Sequence, residues 1–251
     1  MLAKAVSALA ICAVMNVSTD QAIPASSKPV PAEWEPQESV WLQWPSEFER
    51  VFQPAFARMS AIISRYQKLN IVCDSSADLA QATKAIAAAG GDPDHANIDW
   101  HELPNDSVWM RDNGPVYLLQ DGELRLQNRG FNAWVGAFGK DIPCARDNQL
   151  PSLLGERLGI PVEVVDIEVI CDPILGQVEY RGRSFDTNYL NRLVGNGFVI
   201  AAGLGDDAID AAAGKRIAGY FPGRDVHIIE MLASWYDGGG VHCHTNDQPA
   251  L

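Results

Sequence analysis

The feature of this sequence that most constrains its fold is a repeated order of two short apolar strands, a helix and a closing strand. In the last third of the chain, residues 189–194 and 198–202 are apolar strands joined by a glycine-containing turn. Asp206 or Asp207 can cap the helix that follows, and residues 226–230 form the closing strand. A unit of roughly 60 residues that recurs in this order predicts repeated α/β modules rather than one doubly wound sheet.

The earlier part of the chain follows the same order. Its predicted strands are 40–44, 69–73, 98–103 and 162–167, its predicted helices are 51–68, 77–89 and 148–158, and its predicted hairpin joins 116–119 to 123–128. Asp121-Gly122 supplies the residues that a tight hairpin turn needs. The sequence contains no glycine-rich phosphate-binding motif and no GxSxG motif, which argues against a nucleotide-binding protein and a serine hydrolase.

The N-terminal segment has the pattern of a secretory signal peptide. Lys4 precedes an apolar run over residues 5–17, and small residues follow it. We expect residues 1–27 to contain the signal and its cleavage region, and the proline-rich residues 28–36 to be an extended linker. The alternative is an amphipathic or wrongly assigned N-terminal extension. A signal peptide predicts a secreted or periplasmic protein, whereas the extension predicts a cytoplasmic one.

The formal charge of −13 narrows the classes of partner. Nucleic-acid binding needs a clustered basic surface, so we expect no nucleic-acid partner. An acidic surface instead attracts small cationic ligands. No apolar run reaches the roughly 20 residues that cross a bilayer, so no membrane span is expected. The cysteines after the N-terminal segment are widely spaced and form no CxxC pair, which argues against a zinc ribbon and a disulfide-dense scaffold but leaves one or two disulfides open in an oxidising compartment.

Three stretches carry residue types suited to chemistry. The first is Trp109-Met110-Arg111-Asp112-Asn113-Gly114-Pro115, which opens the predicted hairpin. The second is Arg129-Gly130-Phe131-Asn132-Ala133-Trp134, and the third leads through Gly238-Gly239-Gly240 to Val241-His242-Cys243. Glycines let a ligand approach the main chain closely, and a cysteine just beyond them is a candidate exposed nucleophile.

Together with Pro31-Ala32-Glu33-Trp34-Glu35-Pro36, these motifs resemble the agmatine deiminase family, which includes the bacterial peptidylarginine deiminases. The resemblance runs from about residue 31 to residue 250 in the family's order. It implies a pentein fold, which is a ring of five ββαβ modules around a polar site. It also implies hydrolysis of a guanidinium group to a ureido group and ammonia. With a signal peptide the implied substrate is extracellular peptidylarginine, and without one it is agmatine, in putrescine and polyamine synthesis.

The resemblance also assigns candidate site residues. It implies that Cys243 is the catalytic nucleophile. The implied substrate-binding residues are Asp112, Trp109, Trp134, Gly239 and Gly240. The carboxylate would hold the planar cation through paired hydrogen bonds, and the two tryptophan rings would wall the site and face the charge. No metal or organic cofactor is implied, because a thiolate and a proton-carrying histidine suffice for this reaction.

The chain departs from the family pattern in its middle. Family members carry a Glu-Gly-Gly stretch and a Gly-His-Val-Asp stretch there, which supply a second carboxylate, the catalytic histidine and a further aspartate. Here residues 165–173 pass almost directly into residues 178–183, which resemble the start of the last module. We therefore expect an incomplete pentein of about three to four modules, divided into residues 37–172 and 173–251.

This departure leaves three functional hypotheses open. The chain hydrolyses guanidino substrates with Cys243, or it binds cationic guanidino ligands through Asp112 without catalysis, or it is a fragment from an incomplete gene model. His242 and His244 flank the cysteine, but on an extended segment both would face away from its thiol. An opened ring exposes strand edges and apolar faces, so we also expect a homo-oligomer or a poorly soluble chain.

Overall fold

The structure, a computed structural model, describes residues 30–131, 133, 142–164, 177–186, 189 and 191–250. Its strands are β1 Gln37–Gln43, β2 Lys68–Cys73, β3 Ile98–Glu102, β4 Val116–Gln120, β5 Glu123–Asn128, β6 Val162–Val164, β7 Gln177–Tyr180, β8 Arg183–Asp186, β9 Arg192–Gly195, β10 Phe198–Gly203, β11 Asp225–Glu230 and β12 Asn246–Pro249. Its helices are α1 Gln53–Ile63, α2 Ser76–Ala88, α3 Met110–Asn113, α4 Leu150–Leu158, α5 Asp207–Tyr220, α6 Leu232–Tyr236 and α7 Val241–His244. Short 3-10 turns, Glu47–Phe52 and Asp147–Gln149, precede α1 and α4.

One complete module lies in the middle of the described chain. β4 and β5 form an antiparallel hairpin, and α4 carries the chain to β6, which pairs parallel to β5. Asp121 and Gly122 both have positive φ at the hairpin turn, a conformation that aspartate and glycine tolerate best. Leu126 of β5 shares a buried cluster with Leu150 and Leu154 of α4, so the helix covers one face of this sheet.

A second module, closer to the C-terminal end, has the same order. β9 and β10 are antiparallel, α5 follows, and β11 pairs parallel to β10. Asp206 caps α5 as predicted, because its carboxylate accepts hydrogen bonds from the main-chain N–H groups of Ala208 and Ile209. β10 is buried along its whole length, as expected of a central strand covered on both faces.

The third module joins the two ends of the described chain. β1 leads through α1 to the parallel strand β2, and β12 pairs antiparallel with the other edge of β1, where Asn246 lies opposite Trp41. The order β12, β1, α1, β2 therefore repeats that of the other modules, and β3 extends the same sheet. The β7–β8 hairpin forms a further, partial unit. The prediction of about three to four repeated α/β modules is confirmed for the described residues.

The largest buried cluster joins the module that contains β1 and α1 to the module that contains β9 and β10. Phe56 and Met59 of α1 share it with Ile200 of β10. Each buried apolar side chain of this size stabilises the fold by about 1.5–3 kcal/mol relative to an exposed one. The cluster reaches Trp109 and Val241, so one core supports both segments that carry candidate site residues.

The predicted elements differ from the structure mainly at their ends. The helix predicted over residues 51–68 is shortened to α1, because Pro54 lies in its first turn and the chain turns after Ile63 to enter β2. The short helices α3 and α7 and the strand β12 have no counterpart in the prediction, and residues 165–167 lie outside the described residues. Within the described ranges, no helix has both the length and the apolar character that a membrane crossing requires.

Candidate functional site

The candidate site forms where α3 and α7 pack against each other. α3 carries Asp112 and α7 carries Cys243. Burial raises the pKa of the Cys243 thiol, and the negative charge of Asp112 raises it further, which places the two groups within electrostatic range. The fold therefore brings together two residues that the sequence analysis selected from distant parts of the chain.

Two hydrogen-bond donors hold the half-buried sulfur of Cys243. Nδ2 of Asn191 donates to Sγ at 3.1 Å, and the main-chain N–H of Gly240 donates to it as well. Burial raises the pKa of the thiol, whereas these donors and the charge of Arg111 oppose the rise. The pKa of the thiol is raised overall, so the free thiol is protonated near neutral pH.

Asn191 is a site residue that the sequence analysis missed. Its Oδ1 accepts a hydrogen bond from the main-chain N–H of His242 at 2.8 Å, and this bond orients its Nδ2 toward the sulfur. α7 packs against β9, which starts directly after Asn191. No local pattern marks this asparagine, because its role depends on a contact with a segment far along the chain.

Asp112 is exposed to solvent but also lies against the protein. Loss of hydration on the protein side raises the pKa of its carboxyl to about 6, and the positive charges of Arg111 and His242 oppose the rise. Above that pH the group is a carboxylate that a cation can reach from solvent. A carboxylate in this position can accept charge-assisted hydrogen bonds from a cationic group.

Trp109 forms a buried wall beside the cysteine. Its ring lies so close to Gly239 that a Cβ on this glycine would be 2.4 Å from Cζ3 of the indole and 3.0 Å from the Cys243 sulfur. A Cβ on Gly240 would be 2.8 Å from Oδ1 of Asn191. Packing therefore requires both glycines, and their contact with a ligand stays a prediction.

The two histidines beside Cys243 have different surroundings. Residues 241–244 form the helix α7, so the expectation of an extended segment is wrong. His242 is half-buried, its Nε2 lies 3.4 Å from Oε2 of Glu33, and its charge acts on Asp112. His244 is completely buried. His242 is thus the imidazole on the Asp112 side of the site.

An ion-pair network attaches the N-terminal motif to the site. Nη2 of Arg111 lies 2.7 Å from Oδ1 of Asp247 and 3.9 Å from Oε1 of Glu33. Nε of the same guanidinium donates to the carbonyl oxygen of His242 at 3.5 Å. Glu33 belongs to the proline-rich motif near the N-terminal end, so this motif lies against α3 and α7.

The remaining candidate residues lie partly outside the described ranges. Trp134 lies outside the described residues, and its role as a second wall stays a prediction. In the part of the chain that the structure describes, no group of three or more His, Cys, Asp or Glu side chains is arranged to bind a metal. Cys73, Cys144 and Cys243 are free thiols.

Comparison with known proteins identifies the family. A model of the Porphyromonas-type peptidyl-arginine deiminase family matches residues 29–170 and 156–249, which together make up most of the chain. This chain belongs to that family. The resemblance inferred from the sequence motifs is thereby confirmed.

Several similar proteins are agmatine deiminases. The agmatine deiminase of Pseudomonas aeruginosa strain LESB58 is 35% identical over 129 residues, which are 48% of this chain and 33% of that protein. This deiminase-family chain thus matches about a third of its relative's length. The agmatine deiminase of Enterococcus faecalis is 17% identical, with a TM-score of 0.71 over 88% of this chain and 96% of that one. A C. jejuni agmatine deiminase with substrate bound is 14% identical, with a TM-score of 0.67 over 89% and 96% of the two chains.

These structural likenesses establish the fold. The deiminase-family chain has the pentein-type α/β propeller fold. Its described residues form three complete ββαβ modules and one further hairpin. The predicted fold class is therefore confirmed.

Proposed function

We propose that this protein hydrolyses the guanidinium group of agmatine or of a peptidyl-arginine to a ureido group and ammonia. The observation that carries the proposal is the shared site of Cys243 and Asp112 on two packed helices. The Cys243 thiol can become a thiolate nucleophile, and the Asp112 carboxylate beside it is accessible to solvent. This pair suits a substrate that is both cationic and electrophilic. The agmatine deiminases among its relatives support the same reaction class.

The raised pKa of Cys243 gives the substrate a part in forming the thiolate. A guanidinium bound to Asp112 neutralises a charge that raises this pKa and adds a positive charge near the sulfur. The thiolate then attacks the central guanidinium carbon, and ammonia leaves after one nitrogen takes up a proton. Water next attacks the same carbon, the C–S bond breaks, and the sulfur departs as a thiolate. Asn191 and the Gly240 N–H stabilise the negative sulfur in both steps.

His242 is the described imidazole that best suits proton transfer in this scheme. It lies near enough to Asp112 to act on its charge, and its Nε2 lies 3.4 Å from Oε2 of Glu33. The imidazolium would protonate the departing nitrogen, and the neutral ring would take a proton from the attacking water. His244 does not suit this task, because it is completely buried and protein groups contact both of its ring nitrogens.

Ammonia release from the purified protein tests the proposed hydrolysis. We expect ammonia from agmatine or from a peptide with an internal arginine, and none when Cys243→Ala replaces the wild type. Cys144→Ala is the matched control, because Cys144 is another partly exposed free thiol, and it should retain the activity. Absence of ammonia with both substrates would refute the hydrolysis proposal.

A guanidino-binding protein without turnover is the second candidate. It is favoured by the sequence between residues 165 and 183, which lacks the Glu-Gly-Gly and Gly-His-Val-Asp stretches of related enzymes. Titration calorimetry with agmatine separates the two candidates when it is combined with the ammonia assay. Binding that disappears in Asp112→Asn, without ammonia release by the wild type, would support this binder.

We further propose export of the protein, from the signal-peptide pattern of residues 1–27. Export would favour peptidyl-arginine over agmatine as the substrate. Mass spectrometry of the protein isolated from its producing cells should then show loss of about the first 27 residues. A mass that includes the complete N-terminal segment would contradict export by this route.

A further inference from the structure

We propose that His244 and Ser234 are positioning residues, whose buried hydrogen bonds and ring packing hold the Trp109 segment and the glycine turn together and so fix Cys243 beside Asp112. The catalytic consequence rests on the proposed function. The arrangement of the thiol does not, because its reactivity can be measured without turnover. Neither residue belongs to the motifs that carry the family resemblance.

His244 and Ser234 connect three separate segments. Nε2 of the imidazole lies 2.5 Å from the Ser234 hydroxyl on α6, and Nδ1 lies 3.2 Å from the carbonyl oxygen of Val108. The hydroxyl lies 2.6 Å from the carbonyl oxygen of Gly239, within donating distance. A continuous chain of contacts therefore runs from the segment before α3, through the imidazole and the hydroxyl, to the turn before α7.

The protons that Ser234 and His244 carry limit which of these contacts are hydrogen bonds. A carbonyl oxygen can only accept, so the Ser234 hydroxyl donates its proton to Gly239, and its oxygen can accept one from Nε2. Burial lowers the pKa of His244 to about 3, which keeps the ring neutral near pH 7 with one N–H. The shorter contact, to Ser234, places that proton on Nε2 rather than on Nδ1. Loss of the hydroxyl would leave the Gly239 carbonyl without its donor and the Nε2–H without an acceptor.

The same imidazole supports the aromatic wall of the site. Its ring centroid lies 4.6 Å from that of Trp109 and 4.9 Å from that of Phe56. Trp109 in turn fills the space where a side chain at position 239 would lie. One buried ring thus contacts the wall of the site directly and reaches the nucleophile turn through Ser234.

The geometry at the sulfur depends on this turn. Gly240 donates its N–H to the Cys243 sulfur, and it directly follows the residue whose carbonyl Ser234 contacts. If the Gly239 carbonyl is released, the Gly240 N–H is no longer held toward the sulfur. The thiolate then loses a donor, and the thiol pKa should rise.

The pH dependence of Cys243 alkylation by iodoacetamide tests the inference without any substrate. We expect Ser234→Ala to shift the midpoint of alkylation to higher pH and to lower the rate at pH 8 about tenfold. Ser234→Thr keeps a hydroxyl and should stay close to the wild type. Ser60→Ala is the matched control, because Ser60 is also a completely buried serine but lies on α1, and its profile should not change. An unshifted profile in folded Ser234→Ala would overturn the inference.

A measurement on the wild-type protein keeps the test valid if Ser234→Ala does not fold. Nitrogen NMR of labelled histidines should show His244 as the Nε2–H tautomer at pH 7, because the ring donates to Ser234 and the Ser234 proton goes to the Gly239 carbonyl. An Nδ1–H tautomer would make Nε2 the acceptor of the Ser234 proton, so that Ser234 would not hold the Gly239 carbonyl, and it would overturn the inference.

Turnover then separates this inference from the proposed function. If the wild type releases ammonia, Ser234→Ala should lower kcat about tenfold while KM changes little, because displacement of the nucleophile affects the chemical step. If the wild type releases none, the proposed hydrolysis fails, while the alkylation profile and the tautomer still decide the positioning role.

Discussion

At the scale of single residues, the site depends on the absence of one methyl group at Gly239. Trp109 and the Cys243 sulfur approach this position from two sides, and both are held by surrounding structure. Trp109 is buried against His244, so it cannot withdraw into solvent. A Cβ would therefore have to displace the backbone of the turn itself.

We expect Gly239→Ala to impair both stability and thiol reactivity. The added methyl overlaps Cζ3 of Trp109, and overpacking of this kind costs about 1–3 kcal/mol. Gly219→Ala on α5 is the control, because no atom lies within contact of its Cβ and its φ is not positive. That change should stabilise the protein by about 0.4–1 kcal/mol. Urea unfolding and alkylation rates measure both variants, and equal effects would contradict the steric role.

The pKa of Asp112 predicts a pH dependence of ligand binding. Its folded pKa of about 6 lies above the ordinary value of 3.8, so the carboxylate is lost as pH falls through 6. We expect the affinity for agmatine to be constant above about pH 7 and to decrease below pH 6, whereas Asp112→Asn should bind weakly at every pH. Titration calorimetry from pH 5 to pH 8 measures this, and an affinity that does not change with pH would contradict the role of Asp112.

The raised pKa of Asp112 also affects folding stability, but here the charged form, which binds the ligand, is unfavourable. Between the ordinary and the raised pKa, the folded protein binds the Asp112 proton more tightly than the unfolded chain does. Ionisation at pH 7 therefore opposes folding. Asp112→Asn should raise the unfolding temperature at pH 7, and this gain should disappear below about pH 4.

At the scale of elements, sequence patterns identify those that form from local interactions. The Asp121-Gly122 turn and the Asp206 cap are local, and the structure contains both. β12 is different, because Asn246-Asp247-Gln248-Pro249 has little strand propensity. It is extended because β1 pairs with it, and Gln248 Oε1 accepts hydrogen bonds from Ser39 and Trp41.

The site residues divide in the same way. Cys243, Asp112 and Trp109 stand in compact motifs, so they can be selected from the sequence. Asn191 and Ser234 cannot, because their partners lie on other segments that only the tertiary fold brings near. The short helix α7 is also unpredictable from its four residues, since an isolated helix of that length has no stability of its own.

Asp147 fixes the segment that leads into α3. Its Oδ1 accepts hydrogen bonds from Nε2 of Gln43 at 3.1 Å and from the main-chain N–H of Asp106 at 2.8 Å. Its Oδ2 accepts one from the Ser107 hydroxyl at 2.5 Å. The carboxylate is completely buried and links the end of β1 to the residues just before Trp109.

We expect Asp147→Ala to destabilise the protein by about 3 kcal/mol, because it leaves several buried donors without an acceptor. Asp99→Ala is the control for loss of an aspartate. It breaks a partly exposed ion pair, in which Nζ of Lys68 lies 2.8 Å from Oδ2 of Asp99. Such a pair contributes less than about 1 kcal/mol to the free energy of unfolding. Denaturant unfolding at pH 7 measures both changes. Similar losses in the two variants would show that Asp147 does not hold this segment.

At the scale of the whole molecule, the two ends of the described chain come together to close one module. β12 and β1 complete the first sheet, so the C-terminal strand stabilises the N-terminal module directly. The last complete module instead leaves apolar surface on α5. Ile209 is 52% exposed and Tyr220 is 72% exposed, and both border an open groove along this helix. Surface of this kind favours association between molecules.

We therefore expect the protein to self-associate through the α5 surface. Sedimentation velocity over a wide range of concentration should show a dimer or larger species that dissociates on dilution. The double variant Ile209→Ser and Tyr220→Ser should shift the equilibrium toward the monomer, because it removes apolar area from the contact. Val51→Ser changes an exposed apolar residue outside this groove and should leave association unchanged. A wild-type monomer at all concentrations, or association that the double variant does not weaken, would contradict this role of α5.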